Sequence, residues 1–241
     1  MIKKVVLFTL VSAGIACLLC SIALAAMPPE LVLYMSFDNK TVTVKEVKDL
    51  SNYGNNGTII GDPKVVKGHR GDALDFTQDS VVIKISDSLS KTKSAITMEA
   101  WIFARTQTTN DVISRWDDAL NGITHFEVSA GGGMRFCMRN DADVAFIDFT
   151  TTNTFPANQW VHVAETYDGA TARVYFDGVE SGNKAGAGTM RDNANVKLWI
   201  GSMYATDRWF DGMIDEVCTW SKALTPDELK KSMQGTLISA A

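Results

Sequence analysis

Residues 198–229, LWIGSMYATDRWFDGMIDEVCTWSKALTPDEL, decide how the rest of the chain is read. The run reads as a strand, a loop, a second strand and a short capped helix. From Met213 to Trp220 the side chains alternate imperfectly. Ile214, Glu216, Cys218 and Trp220 fall on one face, and Asp215, Val217 and Thr219 on the other. Thr225-Pro226-Asp227-Glu228 then opens a helix. Thr225 can cap free backbone amides, Pro226 suits the first helical position, and Glu228 can reach back to complete a capping box. Lys230 and Lys231 complement the negative helix end, and Gly235 supplies the stop.

Outward from this stretch, short apolar runs alternate with turn clusters. Leu31 to Asp38 reads as a first strand ending on an acid, followed by the Asn- and Gly-rich turn Asp49 to Thr58. Gly71 to Phe76 and Val81 to Ile85 read as a hairpin. Ile96 to Arg105 carries bulk on both faces, as a central strand does. Four short strands follow between Asp111 and Phe149, separated by turns such as Ala130-Gly131-Gly132-Gly133. Gln159 to Tyr167 then turns at Asp168-Gly169 into Ala172 to Gly178. A series of short strands with one short C-terminal helix predicts an all-β, antiparallel two-sheet sandwich.

Several of these runs together resemble the LamG-like jelly-roll domain, related to laminin G and pentraxins within the concanavalin A-like lectin and glucanase superfamily. They are Phe210 to Val217 with Thr219 to Thr225, Trp160-Val161-His162-Val163-Ala164, Tyr167-Asp168-Gly169, Gly71 to Phe76 and Glu99-Ala100-Trp101-Ile102. The strand ending Phe37-Asp38 and the loop from Asp49 to Gly57 match the family's opening. There Asn52, Tyr53 and Asn56 replace a glycine, an asparagine and an acid. The resemblance spans Leu31 to Gln234 and is weakest from Asp111 to Thr154. It implies a jelly-roll sandwich that recognises a carbohydrate or an extracellular protein.

Composition narrows the rest. The chain has 241 residues, with 23 Lys and Arg against 28 Asp and Glu. An acidic balance argues against a nucleic-acid partner, which selects a basic footprint. Lys3-Lys4, the apolar run Val5 to Leu24 and the small exit Ala23-Leu24-Ala25 read as a signal peptide over residues 1–25. A retained membrane anchor is the alternative, because the run is near spanning length. Residues 26–241 then form one secreted domain with no membrane insertion of its own, long enough for a single core. Only Cys137 and Cys218 lie in that domain. They are a candidate disulfide, and two independent thiols are the competing reading.

Three chemistries compete for a site. The resemblance implies a structural calcium ion braced by Asp38, Asp215 and the loop at Asn55, Asn56 and Gly57, since calcium takes six to eight oxygens. Without a metal, Asp38 and Asp215 would anchor turn amides. Sugar recognition needs exposed aromatics beside polar groups. Trp116, Tyr204 and Trp209 sit at strand ends or loops and are the candidates, although Trp209 with Phe210 could instead plug the sandwich end. Trp101, Trp160 and Trp199 lie inside strand patterns and read as core. Catalysis has the least support. The superfamily's glycosidases carry a Glu-x-Asp-x-Glu strand absent here, and Asp215-Glu216 fall on opposite faces. Glu99, Glu127 and Glu165 could share a concave face without approaching each other, and His69, His125 and His162 lack a triad partner. The expectation is a module that binds a carbohydrate or an extracellular protein, with a divergent polysaccharide-cleaving enzyme and a non-glycan adhesion or assembly module as the alternatives.

Overall fold

Side chains of a strand alternate between two faces, so the hydrogen-bond register decides which residues share a surface. The computed structural model describes residues 27–117, 122–204 and 206–239; the leader read at residues 1–25 lies outside them. Two antiparallel sheets form the body. Sheet A runs β14 (Val179–Ala185), β13 (Thr171–Phe176), β12 (Trp160–Tyr167), β7 (Ile96–Ala104), β16 (Gly212–Trp220), β5 (Asp72–Phe76) and β4 (Lys64–Lys67). The strand β1 (Leu31–Met35) also pairs with β16. Sheet B runs β11 (Ala145–Thr150), β10 (Met134–Arg139), β9 (Thr124–Val128), β8 (Asn110–Arg115), β15 (Leu198–Ile200), β6 (Ser80–Ile83), β3 (Gly57–Ile60) and β2 (Glu46–Val47).

The core lies between the sheets. Met98, Ala100 and Ile102 of β7 and Val163 and Tyr167 of β12 meet Phe126, Val128, Phe136 and Ile200 from sheet B. Removing this apolar surface from water is the main stabilising term, about 25 cal/mol per Å². A second apolar cluster covers the outer face of sheet A. Tyr34, Tyr175, Cys218 and Trp220 pack there with Leu224, Leu229 and Ile238. The last two belong to α1 (Pro226–Met233) and α2 (Thr236–Ser239). The capping box forms as expected: the Glu228 N–H donates to Thr225 Oγ1 at 3.3 Å, and the Thr225 N–H donates to Glu228 Oε2 at 2.9 Å. Gly235 follows the helix at φ 71°, in the left-handed region that favours glycine.

Three sequence expectations change. A bulge in β16, with Glu216 at φ 53°, interrupts its alternation. Ile214 and Val217 therefore both join the main core, while Cys218 and Trp220 face outward under the helices. The stretches Gly71 to Phe76 and Val81 to Ile85 do not pair as a hairpin. β5 bonds to β16 and β4 in one sheet, and β6 bonds to β15 and β3 in the other. Cys137 and Cys218 are both free and buried, which overturns the disulfide. Cys137 lies on β10 between His125 and Asp148, in sheet B. Cys218 lies on β16 between Tyr34 and Glu99, in sheet A.

Candidate functional site: an aromatic groove on sheet B

Across sheet B the register sets Thr58, Val82, Trp199, Ser114, His125, Cys137 and Asp148 in one row of direct partners. Their chain neighbours Val81, Ile83, Leu198, Ile200, Phe126 and Phe136 point into the core, so the row faces out. Two adjoining hollows lie along this face and share Lys197. One, of about 620 Å³, is lined by Asn55, Asn56, Thr58, Val82 and Lys84. The other, of about 380 Å³, is lined by Trp116, Asp117, Asn195, Trp199, Tyr204 and Thr206.

The rings in the second hollow are held in place. Trp199 Nε1–H donates to the Trp116 carbonyl at 3.1 Å. The Arg139 guanidinium lies 5.5 Å from the Trp116 ring, and the Lys197 ammonium 6.0 Å from the Trp199 ring. These cation–π contacts orient rings that remain half-exposed. Of the expected ligand residues, Trp116 and Tyr204 come together here. Trp209 is half-buried in the following loop and is not among the residues lining either hollow. Trp199, read as core, is the residue the sequence reading missed. The sequence shows that Trp199 alternates with Leu198 and Ile200, but the structure decides that those two carry the inward parity.

Behind Trp116 lies a buried polar cluster. Asp111, His125 and Glu127 are 0%, 1% and 3% exposed. His125 Nδ1 is 2.7 Å from Asp111 Oδ1, and the His125 ring lies 4.1 Å from the Trp116 ring. The Arg208 guanidinium donates to Glu127 Oε2, and Arg135 Nη1 stands 3.8 Å from the same atom. Burial first, then the nearby Asp111, pushes the Glu127 carboxyl upward. One carboxylate oxygen of Asp111 lies within 4.8 Å of one of Glu127, near enough to compare with a glycosidase pair. They lie under Arg208, however, and not in an open cleft. Glu99, Glu127 and Glu165 do not share a face. Glu99 lies under α1, where Trp220 Nε1–H and the Ser232 hydroxyl donate to it at 2.7 and 2.6 Å. Glu165 points into the core with the parity of Val163 and Tyr167.

Asp38 and Asp215 converge on one turn. The Asp72 N–H donates to Asp38 Oδ1 at 3.1 Å, and the Arg70 N–H donates to Asp215 Oδ2 at 2.9 Å. Gly68 and Gly71 leave room for these carboxylates, since a Cβ at either would lie within 2.6 Å of Asp215 or Asp38 oxygen. Burial foremost pushes the Asp215 carboxyl up to about 7, and its Oδ1 has no hydrogen-bond partner. The loop residues have partners of their own. Asn56 Oδ1 accepts from the Asp49 N–H, Asn55 Nδ2 donates to the Val32 carbonyl, and Gly57 is in the β3 ladder. Asp38 and Asp215 thus anchor turn amides, and the side chains of Asn55 and Asn56 are bonded to Val32 and Asp49.

Two antiparallel sheets with an aromatic groove across one outer face define a jelly-roll sandwich. This chain belongs to the concanavalin A-like lectin/glucanases superfamily, whose laminin G-type model matches residues 77–230. No curated protein sequence matches the chain. Among solved structures, the binding domain of Paraclostridial mosquitocidal protein 1 superposes with a TM-score of 0.67 at 18% identity, over 83% of this chain and 51% of that one. Domain 4 of AbnA, an extracellular arabinanase of Geobacillus stearothermophilus solved with arabinotriose, gives 0.65 at 20% identity, over 84% and 98%. The receptor-binding domain of botulinum neurotoxin mosaic serotype C/D gives 0.65 at 12% identity, over 86% and 51%. The chain spans about half the length of the two toxin domains. At these identities the likeness establishes the fold.

Proposed function

We propose that this chain is a non-catalytic carbohydrate-binding module whose glycan lies along the groove on sheet B. The observation that carries the reading is the meeting of Trp116, Trp199 and Tyr204 beside Asp117, Asn195 and Lys197 in one open hollow. Sugar rings stack their C–H faces on such aromatics, and charged and amide groups at the border fix their hydroxyls. The hollow continues past Lys197 toward Lys84 and Asn55, which gives a glycan chain room to extend. Domain 4 of AbnA, on the same fold, was solved with arabinotriose, which supports a sugar as the ligand class. The leader read over residues 1–25 adds an extracytoplasmic location to the proposal.

Affinity electrophoresis through gels containing soluble neutral or uronate-bearing polysaccharides tests it. At least one gel should retard the protein, and Trp199→Ala should weaken retention about tenfold or more, as expected for a stacked anchor. Trp209→Ala, outside the groove, should change it less than about twofold. Retention that survives Trp199→Ala, or that no polysaccharide produces, would overturn the assignment.

A further inference from the structure

We propose that Asp111, His125 and Glu127 form a site for a divalent transition-metal ion, with Arg208 as the counter-charge that the ion displaces. One ligand atom from each residue lies within 4.8 Å of the other two. An ion bonded at about 2.1 Å holds such atoms roughly 3–3.5 Å apart, inside that limit. One imidazole with two carboxylates suits zinc, manganese or cobalt rather than calcium, which wants an all-oxygen shell.

Local backbone geometry builds this constellation. Asp111 pairs directly with Glu127, and the next paired residue of β8, Ile113, meets Phe126. The extra residue is Val112, which is buried with Ile113 in the core. This bulge puts Asp111 on the outer face beside His125 and Glu127, and bulges commonly re-aim a side chain in this way. All three donors stand on neighbouring strands, so the site is held by the sheet ladder and not by a loop.

The charges are incompletely matched without an ion. Arg208 meets Glu127 alone, and Asp111 Oδ1 meets His125. Asp111 Oδ2 is buried with no partner, an arrangement that is unfavourable for a carboxylate. A dication neutralises both carboxylates together. Arg208 can leave, because its side chain is 29% exposed and sits at the surface end of the pair. The other groups facing the cluster are Arg135, 3.8 Å from Glu127, and the Trp116 ring over His125. That ring lines the groove, so the site lies directly behind it and reports optically. Metal binding at this cluster does not depend on the glycan reading.

The test uses the full chain and metal salts alone. Isothermal titration should find one equivalent of Zn²⁺ or Co²⁺ bound in preference to Ca²⁺, and Co²⁺ should quench tryptophan fluorescence. Asp111→Asn and His125→Gln should each weaken binding about tenfold or more. Arg208→Met should strengthen it, by about tenfold, through removal of a competing charge. A network that is only structural would not produce that gain. Trp116→Phe should reduce the quench and leave affinity unchanged. Arg208→Met and Trp116→Phe remove no donor, so they remain readable if a donor variant fails to fold. Absence of binding in both the natural chain and Arg208→Met, a preference for Ca²⁺, affinity indifferent to the donor variants, or weaker binding in Arg208→Met would overturn the site.

Discussion

Glu99 and Glu165 lie one strand apart, both buried, with opposite fates. Glu99 accepts from Trp220 and Ser232. Glu165 is fully buried opposite Met98 and Val174, and neither carboxylate oxygen has a partner. Burial pushes its carboxyl well above the ordinary range. Even neutral, an unpartnered buried polar group is destabilising by about 1–3 kcal/mol. Glu165→Met keeps the chain length and removes both oxygens. It should stabilise the protein by about 1–3 kcal/mol in urea titration. A loss of stability would mean that the carboxyl makes a core hydrogen bond. The parity of Glu165 with Val163 is plain in the sequence. Which parity faces inward is not, because Trp160 to Tyr167 carries bulk on both faces.

At the scale of the element, α1 closes the outer face of sheet A and is held at both ends. Its start is the reciprocal pair between Thr225 and Glu228. Its body places Leu229 in the second apolar cluster and sends the Ser232 hydroxyl to Glu99. An eight-residue helix is marginal alone and relies on this packing. Thr225→Ala removes the acceptor for the Glu228 N–H and should cost about 1 kcal/mol, read as a lower urea midpoint. No change would mean that Leu224 and Leu229 hold the helix without its cap. The whole signature was legible in Thr225-Pro226-Asp227-Glu228 because capping chemistry is local. The bulge at Glu216 was not legible, since it depends on β5 and β1 sharing successive halves of β16.

At the scale of the molecule, the two sheets decide the cysteine chemistry. Cys137 and Cys218 belong to different sheets, and burial pushes the Cys137 thiol up to about 11. The melting midpoint should therefore be the same with and without reductant. Both thiols should react with a thiol reagent on unfolding, without prior reduction. A midpoint that falls in reductant would show a bridge. The same separation of sheets leaves the outer face of sheet B open for the groove, while that of sheet A is partly sealed by the C-terminal helices. Among the described residues no helix is long and apolar enough to cross a membrane.

The sequence by itself determined the all-β class, the central strand at Ile96 to Arg105, the hairpin through Asp168-Gly169 and the capped helix after Trp220. It also marked Trp116 and Tyr204 as aromatics outside the core. All of these rest on period-two alternation, turn residues or caps, whose physics is complete within a few residues. Only the tertiary structure decided that Trp199 faces the groove, that β5 and β6 part into different sheets, and that Asp111 meets His125 and Glu127. Each of these depends on register between strands far apart in the chain. A shift of one residue sends every side chain to the opposite face, and the bulges at Val112 and Glu216 make such shifts where long-range pairing places them.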